Sequence, residues 1–113
     1  MTVAGGTGRE WTFLTNHGHV LICLHRNPQA RIRDIADEVG ITERAVGTIL
    51  VDLERGGYLT KHKVGRRNQY RVHPELAFRH PSEAMRPIGE LLHIFDGRQS
   101  LGEPGESEGM DVP

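Results

Sequence analysis

Residues 31–72 read RIRDIADEVGITERAVGTILVDLERGGYLTKHKVGRRNQYRV, and this stretch decides the fold. Its first part places apolar residues at the i, i+3, i+4 and i+7 positions that share one face of a short helix. These residues are Ile32, Ile35, Ala36 and Val39. Gly40 follows, and glycine ends a helix at little cost because it adopts the left-handed conformation. The pattern therefore predicts a short helix that stops at a tight turn.

A second, longer helix is predicted directly after that turn. Thr42 is a good N-cap, and Glu43 stands early enough in the helix to interact favourably with the helix dipole. A new apolar face follows, and the pair Gly56-Gly57 ends the helix. The residues of that face are Val46, Ile49, Leu50 and Leu53. Two helices joined by so short a turn are expected to pack crosswise.

A β-hairpin is predicted after the second helix, with strands at 58–64 and 69–72 and a Gly-Arg-Arg-Asn loop at 65–68. Glycine and asparagine favour a hairpin tip, and the alternation along the first strand suits a half-exposed sheet. Residues 58–74 contain no acidic side chain, so the outward face is basic. A short third strand is expected at 30–32.

The motifs RDIADEVGIT, ERAVGTILVDLERGGYL and KHKVGRRNQYRV together resemble the winged helix-turn-helix domain of small bacterial regulators of the MarR and ArsR type. The resemblance covers residues 17–73. It implies a mainly α fold with a small β-sheet (α+β), in which a three-helix core carries a β-hairpin wing and a C-terminal helix. It also implies a sequence-specific double-stranded DNA-binding transcriptional regulator, acting as a homodimeric repressor. The alternative is a winged-helix module that binds a protein partner and never touches DNA, since fold does not dictate function.

The resemblance also assigns the expected DNA contacts, because the second helix of such a domain enters the major groove. The recognition residues are then Thr42, Glu43, Arg44, Gly47 and Thr48. Arginine can read guanine, and threonine can contact a phosphate or a thymine methyl group. Glu43 either accepts from cytosine or only stabilises the helix start, and a plain solvated face is the alternative for the whole set. The wing would contact the flanking backbone or minor groove through Lys61, Lys63, Arg66, Arg67 and Asn68.

The net charge of −1 argues against DNA binding until its distribution is considered. Residues 96–113 contain five acidic residues and one arginine, so they carry −4, and residues 1–95 carry +3. Residues 42–73 contain seven Lys or Arg against three Asp or Glu, which gives +4 on the expected contact elements. Phosphate attraction depends on this local excess, so salt-sensitive DNA binding is expected.

Length and composition are typical of one small cytoplasmic domain. A chain of 113 residues supports one core, and 36% hydrophobic content makes that core modest. The opening residues MTVAGGTGRE lack the apolar run of a signal peptide, and no apolar run is long enough to cross a membrane. One cysteine excludes an intramolecular disulfide. No metal, cofactor or enzyme motif stands out, since Cys23 and the scattered histidines form a thin ligand set. No small-molecule effector is indicated.

Four segments are expected along the chain. Residues 1–10 form a flexible N-terminus, 11–80 the winged helix-turn-helix domain, 81–96 a C-terminal helix and 97–113 a disordered acidic tail. Apolar residues at helical spacing in the third segment predict either a dimer interface or packing on the same domain. They are Met85, Ile88, Leu91, Leu92 and Phe95. Trp11 and Phe13 are expected to pack against that helix.

Overall fold

The order of elements is three helices, a hairpin and a short final helix, seen in a computed structural model that describes residues 10–96. The elements are α1 (Asn16–Arg26), α2 (Ile32–Val39), α3 (Glu43–Arg55), β1 (Leu59–Val64), β2 (Arg67–Val72) and α4 (Gly89–Ile94). This order confirms the predicted winged helix-turn-helix fold. The predictions for the flexible N-terminus, up to residue 9, and for the acidic tail at 97–113 lie outside the described residues.

Local side-chain chemistry starts and stops the helices. The Thr15 hydroxyl accepts from the Gly18 amide at 3.2 Å, and the Thr42 hydroxyl accepts from the Ala45 amide at 3.0 Å. Each bond pairs an amide that the first helical turn leaves without a partner. Gly40 ends α2 with φ of +85°, the left-handed conformation that glycine adopts without strain. The predicted N-cap and C-cap of the helix-turn-helix are therefore confirmed.

The core lies where α1, α2 and α3 meet the base of the hairpin. Its most deeply buried side chains are Val20, Leu24, Ile35, Val46 and Leu92. Full burial of one such side chain contributes about 1.5–3 kcal/mol, so these side chains hold the helices at fixed angles. Five consecutive residues of α1, from Val20 to Leu24, are buried. A helix buried on more than one face is surrounded, so α1 is the central element on which the others pack.

The second strand of the hairpin is longer than predicted, and the turn is tighter. β1 and β2 pair antiparallel from Leu59 opposite Val72 to Val64 opposite Arg67, so only Gly65 and Arg66 form the turn. Gly65 has φ of +66°, which a two-residue hairpin turn requires. The predicted four-residue loop at 65–68 was therefore wrong, because Arg67 and Asn68 join the ladder. The third strand expected at 30–32 is absent from the described sheet, since Ile32 already begins α2.

The C-terminal helix is much shorter than the predicted segment 81–96. Residues 81–88 form turns, and α4 has six residues. Pro87 cannot donate a helical hydrogen bond and instead forms a β-bridge with Ala77. Gly89 then lies so close to Pro74 that an added Cβ would be 2.8 Å from the Pro74 Cβ. These long-range contacts hold the segment against the core and override its helical spacing.

The predicted dimer stripe divides into two groups. Ile88 and Leu92 are buried in the core of their own domain, so they are not available to a second chain. Met85 is exposed, and Leu91 and Phe95 are half-buried. The alternative prediction, packing on the same domain, therefore describes Ile88 and Leu92, whereas the part that the other three residues play in a dimer stays a prediction.

Candidate nucleic-acid interface

Helix α3 separates a buried face from an exposed one. Val46, Ile49 and Leu53 are buried, whereas Arg44 and Thr48 are exposed on the other side. Glu43 is exposed at the edge of the buried face, since it stands three residues before Val46. Arg44 and Thr48 are one turn apart, and the Thr48 hydroxyl donates to the Arg44 carbonyl at 3.3 Å. The exposed face near the start of α3 therefore presents a guanidinium and a hydroxyl, as the sequence predicted.

Gly47 lies on α3 between these exposed residues and is half-buried. A Cβ added to it would meet no described atom within 4 Å. No packing contact inside the domain therefore requires glycine here, although glycine in a helix costs about 0.8–1.0 kcal/mol relative to alanine. A ligand surface that approaches the α3 backbone would explain why glycine stands at position 47.

An open cleft runs between the start of α2, the start of α3 and the hairpin. It brings together two of the predicted wing residues and one predicted recognition residue, with two arginines that the sequence reasoning missed. Its lining is Ala30, Arg31, Ile32, Arg33, Glu43, Arg67, Asn68 and Tyr70. Three arginines face one carboxylate, so the cleft is basic. The sequence indicated this cleft only through the two arginines, Arg31 and Arg33, that flank the first apolar residue of α2.

The hairpin presents lysines on the same sheet face as the cleft residues Asn68 and Tyr70. Lys61 is paired with Tyr70 and Lys63 with Asn68, and directly paired residues of an antiparallel sheet share a face. Both lysines are exposed. Burial, and secondarily the Glu54 carboxylate, raise the pKa of Tyr70, so its phenol stays neutral beside this face.

Arg66 and Arg67, predicted as a pair at the hairpin tip, occupy different environments. Arg66 is exposed in the two-residue turn. Arg67 is half-buried, and its Nη2 donates to the Gln29 carbonyl at 2.7 Å. This bond ties the hairpin to the loop between α1 and α2. Arg66 is therefore the residue that is free to contact a ligand, whereas Arg67 also fixes the hairpin in place.

Cys23 and the histidines lie outside the cleft. Burial in α1, with a smaller contribution from the Glu38 carboxylate, raises the pKa of the Cys23 thiol to about 12, so it is a protonated core group. His17 pairs with Asp52 at 2.8 Å and links α1 to α3. Within residues 10–96, no group of three or more His, Cys, Asp or Glu is placed to hold a metal ion. Nor is any helix in that range long and apolar enough to cross a membrane.

A second exposed feature is apolar. Trp11 and Phe13 are 75% and 91% exposed and pack edge to face with ring centroids 5.0 Å apart. The prediction that these rings pack on the C-terminal helix is therefore wrong for most of their surface, which is exposed. Phe13 does line a groove that Phe95 also lines. Ile94 of α4 is also largely exposed.

Comparison with known proteins agrees with this architecture. Residues 14–60 match the sequence profile of a family described as winged helix-turn-helix DNA-binding. Among solved structures, the fold is similar to that of MepR, a transcription regulator of the Staphylococcus aureus multidrug efflux pump MepA, with a TM-score of 0.50 and 22% identity. That alignment covers 77% of this chain and 61% of the MepR chain, so the chain spans about three fifths of that regulator. No curated protein matches the chain.

Proposed function

We propose, on the premise that residues 14–60 form a winged helix-turn-helix DNA-binding domain, that this chain is a sequence-specific transcription regulator of double-stranded DNA. One observation carries the proposal: the start of α3, the start of α2 and the hairpin line a single basic cleft. A duplex seated on α3 would bring its flanking phosphates to the arginines of this cleft. The family profile and the charge support DNA as the ligand.

In this proposal α3 enters the major groove and reads bases through its exposed start. Arg44 donates two hydrogen bonds to the O6 and N7 of guanine, a contact worth about 1–3 kcal/mol of discrimination. Thr48 contacts a phosphate or a thymine methyl group from the next turn. Gly47 between them lets the helix backbone approach the DNA. Glu43 lines the cleft beside arginines, which favours a role in placing them over base reading.

The hairpin is the wing and supplies most of the contacts that do not depend on sequence. Lys61, Lys63 and Arg66 are exposed cations on or beside the cleft face. Each cation that neutralises a phosphate releases counterions and adds about 0.9 to the slope of log affinity against log salt. The wing therefore raises affinity for every sequence, whereas α3 distinguishes between sequences.

We further propose that the regulator acts as a homodimer. The exposed aromatic pair Trp11 and Phe13, with Phe95 in the adjoining groove and the exposed Ile94, forms the pairing surface. A two-fold dimer presents its recognition helices to successive major grooves about 34–36 Å apart, and so prefers a palindromic site. A dimer seated on such a site excludes other proteins from it, which favours repression. This role places the protein in the cytoplasm with the chromosome.

The dimer is tested by the double substitution Trp11→Ser with Phe13→Ser. Both rings are largely exposed, so the variant should fold with an unchanged circular dichroism spectrum and lose only the thermal stability that dimer formation gives the parent chain. Sedimentation velocity should then show a monomer where the parent chain is a dimer. A variant that remains a dimer excludes this surface as the interface.

The DNA-binding function is tested by selecting bound sequences from random duplexes with the full chain. The selected duplex is then used to compare Arg44→Ala with Arg55→Ala. Both substitutions remove one exposed arginine from α3, but Arg55 lies at the opposite end of the helix. Arg44→Ala should lose sequence preference at one position of each half-site, and Arg55→Ala should keep it.

A second candidate is a winged-helix module whose ligand is a protein, and the exposed Trp11–Phe13 pair is the observation that favours it. The same selection distinguishes the two candidates. A chain that enriches no sequence from the random pool, and whose weak DNA binding is insensitive to both arginine substitutions, would refute the DNA-reading role. Enrichment of one motif with dependence on Arg44 would refute the protein-only module.

A further inference from the structure

Val51 is an apolar side chain on the exposed face of α3. It is 45% exposed, whereas the other large apolar side chains of that helix are buried. Within residues 10–96, Val51 belongs neither to the core nor to the apolar side chains that pack against the core. Burial inside its own domain therefore does not explain why a valine stands at this position.

The position of Val51 continues the stripe that begins with Arg44 and Thr48. The three residues stand at i, i+4 and i+7, a spacing that places side chains on one face of a helix, and all three are exposed. Val51 is two turns beyond Arg44, about 10 Å along the helix axis, and base pairs of B-DNA follow one another about every 3.4 Å. A helix that places Arg44 over one base pair therefore places Val51 within about three base pairs of it.

The surface beside Val51 is open. Gly47 stands one turn earlier on α3, and a Cβ added to it would meet no described atom within 4 Å. Side chains of a helix lean toward its N-terminus, so Val51 leans toward the bare backbone at Gly47. The isopropyl group has one strongly preferred rotamer in a helix, and it therefore loses little side-chain entropy on contact. A flat partner can approach the backbone at Gly47 and touch the side of Val51.

The chemistry of valine restricts what Val51 can read in a major groove. Its side chain has no hydrogen-bond donor or acceptor, whereas the base edges in the groove present such groups at every base pair. The one apolar group on those edges is the C5 methyl of thymine. Against any other base edge, the isopropyl group would displace water from a polar group and give no hydrogen bond in return. Thymine is therefore the base that a valine favours.

We propose that Val51 is a specificity-determining residue that contacts the C5 methyl group of a thymine in each half-site of the operator. This inference rests on the proposed DNA-binding function and adds a second base to it. Arg44 selects a guanine through hydrogen bonds, and Val51 selects an A·T pair within about three base pairs of that guanine through an apolar contact. One stripe of α3 thus combines a polar and an apolar determinant of sequence.

The test removes the methyl group from the DNA and the isopropyl group from the protein, separately and together. Each thymidine of one half-site of the selected duplex, on either strand, is replaced in turn by deoxyuridine, which lacks only the C5 methyl group. The proteins are the full parent chain, Val51→Ala and Val64→Ala. Val64 is a matched control, since it is a similarly exposed valine on the hairpin and loses the same atoms. Alanine is a better helix former than valine, so Val51→Ala should keep the circular dichroism spectrum of the parent.

Fluorescence anisotropy measures each affinity. For the parent chain and for Val64→Ala, deoxyuridine at one position should weaken binding by about three- to fivefold, the effect expected for burying one methyl group. For Val51→Ala the difference between thymine and deoxyuridine at that position should disappear, because the apolar partner of the methyl group is gone.

Equal binding of thymine and deoxyuridine at every position of the half-site would overturn the role of Val51. A methyl effect that persists in Val51→Ala, or that is lost equally in Val64→Ala, would overturn it as well. These outcomes leave the proposed function standing, because the chain has still selected the duplex and recognises it through Arg44. A chain that selects no sequence would instead refute the proposed function, and the role of Val51 with it.

Discussion

Replacing Gly47 by alanine should make the domain more stable and its DNA binding weaker. Glycine inside a helix costs about 0.8–1.0 kcal/mol relative to alanine. The new methyl group would meet no described atom within 4 Å, so no steric penalty inside the domain offsets this gain. For a domain of this size, a stabilisation of about 1 kcal/mol raises the melting temperature by about 4–8 °C.

The binding effect has the opposite sign because Gly47 lies between Arg44 and Thr48 on the exposed start of α3. A methyl group there would separate the helix from a DNA backbone packed against it. A loss of about 1.4 kcal/mol, equivalent to a tenfold weaker affinity, is expected.

Thermal unfolding followed by circular dichroism measures the first effect, and fluorescence anisotropy with the selected duplex measures the second. A lower melting temperature would refute the packing argument for Gly47. Unchanged affinity in a stabilised variant would show that DNA does not approach this part of α3.

Three further outcomes follow from the packing. Gly89→Ala should destabilise by about 1–3 kcal/mol in urea unfolding, because its Cβ would be 2.8 Å from the Pro74 Cβ; an unaffected variant would disprove that contact. Leu92→Ala should cost about 2–5 kcal/mol and Met85→Ala less than about 0.5 kcal/mol, since the first is fully buried and the second exposed; equal costs would contradict this placement. Cys23 should resist iodoacetamide at pH 8 until the protein is unfolded. Its raised pKa means that the folded state retains the proton, so stability should fall as pH rises from about 9 to 12; fast alkylation of folded protein would contradict its burial.

The helix-turn-helix could be predicted because its determinants are local. The spacing of Ile35 and Val39, the glycine at position 40 and the Thr42 cap act within one or two turns of chain. Each of these predicted features is present in the structure, because tertiary packing buries the helix faces that the apolar periodicity defines. The exposed start of α3 was predictable for the same reason.

The C-terminal segment could not be predicted because its determinants are distant in sequence. Ile88 follows the helical spacing of its neighbours, yet its amide donates to the Leu76 carbonyl twelve residues earlier. Pro87 pairs with Ala77, and Gly89 packs on Pro74. Such contacts leave only a weak trace in the sequence, here a proline and a glycine inside an apolar pattern.

The basic cleft was missed for a related reason. Arg31 and Arg33 belong to the start of α2, and Arg67 belongs to a strand more than thirty residues away. A charge count along the chain finds the excess at 42–73 but not the convergence of these side chains. Only the crossing of the helices and the position of the hairpin bring them to one surface.

The bond between Arg67 and the Gln29 carbonyl has a thermodynamic consequence for the wing. Arg67 is the first residue after the two-residue turn, so the hairpin is anchored at its far end as well as at its root, where Leu59 pairs with Val72. A loop that is ordered only on binding loses backbone conformational entropy, about 1–2 kcal/mol for each residue that is fixed. Because the backbone of this hairpin is already ordered in the folded protein, much of that entropy is lost on folding and not on binding. The wing is therefore preorganised, and its cations engage a ligand without first having to order the backbone that carries them.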